Sequence, residues 1–179
     1  MKASVSTCAK LSVVLFLSLI AGGAQAFELR GFRGVSWGEG IEALGAATVV
    51  QTVGEVTCYQ RQRENMLFGD TPLNGVRFCF HRDRLFMVTL DAAVAPKAFV
   101  AEFEHTYGRP ASRRGQTAAW GTKGSGTRAD LAAIGNAATR LTIYSNKIEP
   151  SLARRMQKLS PAELPNSLAA SRRAAGEQP

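Results

Sequence analysis

After residue 26 the 179-residue chain holds two cysteines, Cys58 and Cys79, and two histidines, His81 and His105. A redox or acyl-transfer cysteine needs its thiolate stabilised by a helix N-terminus or a nearby cation. Both cysteines instead fall in segments that alternate at period two and read as strands, and no Cys-x-x-Cys pair is present. Arg77 and His81 share the predicted face of Cys79 and would favour its thiolate, so a nucleophile with a resolving partner is the sharper reading. A structural bridge is the plainer one, and two buried thiols are the third. A catalytic zinc site commonly draws three protein ligands, and neither histidine has a second histidine within one helical turn. His105 stands beside Glu102 and Glu104 and reads as part of a solvated helix face. No metal or cofactor is expected. No nucleophile elbow is read for a Ser-His-Asp triad, and the scattered acidic residues do not suggest paired-carboxylate chemistry. Lys123-Gly124-Ser125-Gly126 lacks Walker spacing and reads as a hairpin turn.

Arginines cluster at Arg61 and Arg63, at Arg77, Arg82 and Arg84, and at Arg109, Arg113 and Arg114. Such groups attract lipid headgroups, anionic glycans or acidic protein faces, although they are commonly just solvated. The candidate anion- or partner-binding residues are Arg77, Arg82 and Arg84. They sit on two alternating runs, 75–81 and 84–91, joined by Arg82-Asp83. A two-residue turn puts Val76, Phe78, Phe80, Leu85 and Met87 on one face, the core. Arg77, Cys79, His81, Arg84, Phe86 and Val88 fall on the other. The expected partner is an envelope protein or an anionic envelope component. Nucleic acid is disfavoured, since no aromatic-interleaved binding motif is present.

The elements that must position these residues follow from periodicity. Residues 55–61 read as a strand beside the hairpin. Within 95–107, Phe99, Val100, Phe103 and Tyr107 recur at helical spacing; Pro96 suits the first turn, and Gly108 with Pro110 stops the helix. Strands follow at 117–122, 127–134 and 138–145, then a helix near 150–159 with Leu152, Met156 and Leu159 on one side. Residues 38–44 suggest one or two helical turns. Trp37 and Trp120 read as core rings. The expectation is an α+β fold: an antiparallel sheet of about six strands in two three-stranded groups, covered on one face by helix 95–107.

Composition is that of a globular protein, 45% hydrophobic and 20% charged, which excludes disorder throughout. Residues 1–26 read as a signal peptide: Lys2 and Lys10 precede an apolar run, and Ala24-Gln25-Ala26 fits the peptidase. That run is shorter than the ~20 residues needed to span a bilayer. Cleavage removes Cys8 and leaves 20 basic against 14 acidic residues, a net charge of +6. Residues 27–159 form one expected domain. The Pro-, Ser- and Ala-rich stretch 160–179 reads as a disordered tail. Two cysteines in an oxidising compartment favour a Cys58–Cys79 disulfide. The expectation is a basic, exported, periplasmic protein without a transmembrane anchor, acting as a non-enzymatic binding or envelope-associated domain. The alternative is a small periplasmic hydrolase or redox enzyme.

Phe32-Arg33-Gly34-Val35-Ser36-Trp37-Gly38, with Arg84-Leu85-Phe86-Met87-Val88, Tyr107-Gly108-Arg109-Pro110 and Leu141-Thr142-Ile143-Tyr144, resembles a group of small exported Gram-negative bacterial proteins of unassigned function. The layout is more weakly similar to the helix-plus-sheet modules of outer-membrane assembly lipoproteins and secreted inhibitors. This chain departs from the lipoproteins in lacking a cysteine after its apolar run. The resemblance implies a fold and an exported location, and no catalytic residues.

Overall fold

The computed structural model describes residues 27–134 and 138–158. The segments read from the sequence as a signal peptide (1–26), a disordered tail (160–179) and a turn (Gly135-Asn136) lie outside the described residues.

Arg82 and Asp83 both take positive φ, 48° and 55°, as a type I′ turn requires. This turn matches the right-handed twist of its flanking strands, so the longest hairpin of the fold grows from it. The described residues form eleven strands: β1 (Gly31–Phe32), β2 (Val35–Ser36), β3 (Ala47–Val53), β4 (Val56–Arg61), β5 (Leu67–Phe68), β6 (Thr71–His81), β7 (Arg84–Ala92), β8 (Ser112–Arg114), β9 (Thr117–Trp120), β10 (Thr127–Ile134) and β11 (Ala138–Ser145). The helices are α1 (Pro96–Tyr107) and α2 (Pro150–Lys158), with a 3-10 turn at Ile41–Leu44.

The expectation of an α+β fold with six strands in two groups is corrected. The described chain is mostly β, 48% strand and 19% helical, and builds one nine-stranded antiparallel sheet plus the two-stranded β1–β2 hairpin. The large sheet runs β3-β4-β6-β7-β11-β10-β9-β8, with β5 paired to β6. What joins the two expected groups is the pairing of β7 with β11, in which Leu90 meets Leu141 and Val88 meets Ile143. Both strands bury side chains on both faces, as the middle of a continuous sheet demands.

A helix lies on each side of this sheet. Phe99, Val100 and Phe103 of α1 are buried in one cluster with Val76, Phe78, Phe80, Val88, Leu90, Leu141 and Ile143. Pro96 opens α1 where its missing N–H leaves nothing unpaired, and Gly108 closes it at φ 81° with its N–H on the Glu104 carbonyl. Ala153 and Met156 of α2 pack in a second cluster with Val56, Cys58, Cys79, Phe86, Met87 and Tyr144.

The faces of the hairpin differ from simple alternation. Cys79 pairs with Met87 while Phe80 pairs with Leu85, so Phe86 is an extra residue on β7. This β-bulge puts Phe86 and Met87 together on the α2 side and returns Val88 to the α1 core. The expectation that Met87 is core and Val88 lies opposite is thereby reversed.

Candidate functional site

Cys58 on β4 and Cys79 on β6 are directly opposite in register, with Cα atoms 4.0 Å apart, and are joined in a disulfide. That excludes the reading of Cys79 as a free nucleophile in this state. The bond lies under α2 and contributes to the apolar seat of that helix.

Of the three arginines singled out in the sequence, Arg77 lies well back from the turn, and Arg82 and Arg84 stand at it. Arg77 is the most constrained. Its Nε donates to Thr89 Oγ1 at 3.0 Å and its terminal nitrogen to Asp91 Oδ2. Arg140, from β11, donates to both oxygens of the same carboxylate at 2.6 and 3.1 Å. The result is an Arg-Asp-Arg cluster spanning three neighbouring strands. Burial pulls the Arg77 guanidinium below its usual pKa; Asp91 opposes that shift and Arg140 adds to it. Arg82 is exposed and lies 3.6 Å from Glu55. Arg84 is exposed at the turn. The three are therefore held by different surroundings and do not converge through any shared hydrogen bond.

His81 ends β6 between two carboxylates, with Nε2 2.9 Å from Glu55 and Nδ1 3.4 Å from Glu149. Its hydrogen bond, followed by the charge of Arg82, holds the exposed Glu55 carboxyl below the usual range. Glu149 takes φ 49° immediately before α2, so this contact ties the helix start to the hairpin tip. His105 lies on α1. Among the described residues no group of three or more His, Cys, Asp or Glu side chains could hold a metal ion.

Gly34-Val35-Ser36-Trp37-Gly38 does carry the Gly-x-Ser-x-Gly spacing, which corrects the reading that no elbow is present. Ser36 nevertheless lies in the small β1–β2 hairpin, while a nucleophile elbow is a sharp strand-to-helix turn. Its backbone N–H donates to Glu39, and none of its hydrogen bonds reaches a histidine among the described residues. Trp37 and Trp120 donate their indole N–H groups to the Leu29 and Gly108 carbonyls, both at 2.7 Å; Trp120 is a core ring, whereas Trp37 is only partly buried and packs against the core from its margin.

A cleft of about 720 Å³ opens between α2 and the β10–β11 end of the sheet. Period-two alternation builds its floor. Ala129, Leu131 and Ile143 face the α1 core, so Arg128, Asp130 and Tyr144 face the opposite side. Asp130 is saturated: it accepts from Arg128 Nε at 2.9 and 3.1 Å, from the Tyr144 hydroxyl at 3.2 Å and from Gln157 Nε2 at 3.2 Å. Burial first, and then the neighbouring Asp130 charge, push the Tyr144 hydroxyl up to about 12, so it remains a neutral donor. Lys123 comes from the β9–β10 turn, whose Thr122 N–H donates to Ser125 Oγ and whose Thr122 and Ser125 carbonyls accept from the Asn146 side chain. The phosphate-loop alternative for that segment is thus set aside. Arg154 and Lys158 line the cleft one helical turn apart on α2.

The lining therefore has four cations, Lys123, Arg128, Arg154 and Lys158, against the single carboxylate of Asp130. Sequence reasoning did not single out Arg128, Arg154 or Lys158 as site residues. The alternation of charged and apolar residues along 127–131 was the available signal. What it lacked was the position of α2. Comparisons of the chain with protein-family models, curated proteins and solved structures find no match. Among the described residues no helix is long and apolar enough to cross a membrane.

Proposed function

We infer that the chain is an exported, non-catalytic binding domain of the bacterial envelope, and that its ligand carries a phosphate or carboxylate group received by the α2–β10 cleft. The observation that carries this reading is the uncompensated charge of the lining, because the one carboxylate there is already consumed by Arg128, Tyr144 and Gln157. Arg128 uses only its Nε on Asp130, which leaves the outer edge of its guanidinium for a forked contact with an anion. The Tyr144 hydroxyl, kept protonated, leaves the floor without a second negative charge. The Cys58–Cys79 disulfide supports an oxidising compartment. Envelope-borne anions come as soluble phosphates or as lipid headgroups, and the cleft chemistry is the same for both.

The test is titration with inorganic phosphate and, separately, with vesicles of phosphatidylglycerol or of phosphatidylcholine alone. Binding should weaken with salt and fall about tenfold or more in the Arg154→Ala/Lys158→Ala variant, a loss of at least about 1.4 kcal/mol. Response to phosphate points to a soluble ligand, and response only to phosphatidylglycerol points to the membrane surface. The same titration on Arg82→Ala/Arg84→Ala decides between the cleft and the hairpin tip. Salt-insensitive binding, or binding untouched by the α2 substitutions, refutes the cleft.

A further inference from the structure

Apart from the two-residue β5 alongside β6, the large sheet ends in two edges that differ sharply. One is β8, Ser112–Arg114, three residues with two arginines, all exposed. Short length and charge are how natural edges resist pairing with another chain. The other is β3, Ala47–Val53, seven residues of Ala, Thr, Val and Gln without a single charge. It pairs only with β4, so alternate backbone N–H and C=O groups along its outer side have no ladder partner among the described residues. Val49 on this strand is 55% exposed and is one of only two large apolar side chains so exposed among the described residues. Strand formers without charge or proline make a template for strand addition.

Charge placement indicates which strand would add. Ala47 pairs with Arg61, so the start of β3 lies beside the segment carrying Arg63, an exposed side chain with no ion pair among the described residues. Val53 leads into the Gly54-Glu55 turn, so the other end carries Glu55, whose side chain is 70% exposed. Glu55 uses only its Oε2 on His81 and Arg82, leaving Oε1 for another cation. A second copy laid antiparallel along β3 would bring Glu55 of each chain beside Arg63 of the other, twice by symmetry. Parallel pairing would place like charges together. The register shift between Val49 and Gln51 marks a bulge at Val50, in the middle of β3, so pairing with a second copy would run along the regular segments on either side of it, and the two-fold axis of such a pair would pass there.

We propose that β3 is a self-association edge, which pairs antiparallel with β3 of a second copy about an axis near Val50 and continues the sheet across the dimer. A single added strand buries less than the roughly 1,200–2,000 Å² of a stable interface, so the dimer is weak and concentration-dependent. Sedimentation equilibrium of the purified full chain, from micromolar to millimolar concentration, reads it directly. Val49→Lys, at an exposed position that leaves the fold intact by circular dichroism, raises the dimer dissociation constant at least about tenfold. Ser112→Lys on the opposite edge leaves it unchanged. Glu55→Arg weakens the dimer, and adding Arg63→Glu restores it, which a merely structural role for Glu55 does not explain. Three results overturn the proposal: a monomer at every concentration, a dimer indifferent to Val49→Lys, or a charge-reversed chain that the second reversal fails to rescue.

Discussion

Phe103→Ala tests the α1 core at its most crowded point. Phe103 is fully buried, and its ring centroid lies 4.5 Å from Trp120, 4.6 Å from Tyr107, 5.5 Å from Phe68 and 5.9 Å from Phe27. Tyr107 lies one turn on along the same helix, while the other three come from β9, the two-residue β5 and the segment before β1, so the ring ties α1 to parts of the chain that the sheet ladder does not join to it. Truncating a buried phenylalanine costs roughly 3–5 kcal/mol through lost transfer energy and the cavity left behind. Each aromatic pair adds about 0.5–1.5 kcal/mol beyond burial. With four such pairs removed at once, the expected loss lies at the upper end, about 4–5 kcal/mol. That is a large share of the ~5–15 kcal/mol by which such domains are stable. Urea unfolding under non-reducing conditions, followed by tryptophan fluorescence, reads the loss, and Trp120 reports it from edge contact with the mutated ring. A midpoint shift at constant slope is the expected form. A loss below about 1.5 kcal/mol, the range of tolerated volume-conserving swaps, would mean that the cavity collapses freely and that the five-ring cluster does not organise this side of the sheet.

Replacing both Cys58 and Cys79 with alanine releases a loop of 21 residues in the unfolded chain, and stability falls by about 3 kcal/mol in thermal or urea unfolding. Tyr144, raised to about 12, should remain un-ionised in the folded protein while ordinary tyrosines titrate, which ultraviolet difference spectra of Tyr144→Phe against the parent chain resolve. Because its folded pKa lies above the usual value near 10, its contribution to stability is complete below about pH 10 and is lost as pH rises from there towards 12. Asp91→Asn leaves Arg77 and Arg140 facing each other across β7 with their shared anion gone, and should lower stability by about 1.5–3 kcal/mol in the same urea assay.

Local signals wrote the parts of this fold that were legible. Arg82-Asp83 between alternating runs marked the hairpin, and Pro96 and Gly108 bounded α1 with Phe99 and Phe103 at helical spacing. β3 was not legible, because the register shift at Val50 breaks its alternation and leaves Val49 exposed beside a half-buried Val50. β8 has no buried residue at all, so Ser112–Arg114 carries no periodicity to read. The merging of two strand groups into one sheet depends on β7 meeting β11 about fifty residues away, a non-local pairing that no local pattern encodes. The same holds for the cleft. Arg128 and Asp130 were visible as the polar half of an alternation, but Lys123, Arg154 and Lys158 join them only once α2 has docked.

What docks α2 is the bulge at Phe86. A regular β7 would offer the α2 side one large apolar residue opposite Cys79; the bulge supplies two, Phe86 and Met87, beside the disulfide and Tyr144. Two residues further along β7 and β6 the same face turns polar, with Arg77, Thr89 and Asp91 and, on β11, Thr142 and Arg140. A short amphipathic helix buries its apolar stripe where apolar area exists, so Ala153 and Met156 settle over the bulged end. Arg154 and Lys158 are then carried to the border of the seat, where Arg128 and Asp130 begin. The basic cleft thus follows from one inserted residue: it fixes where the apolar seat ends, and the cations gather at that boundary because the helix that bears them cannot bury them.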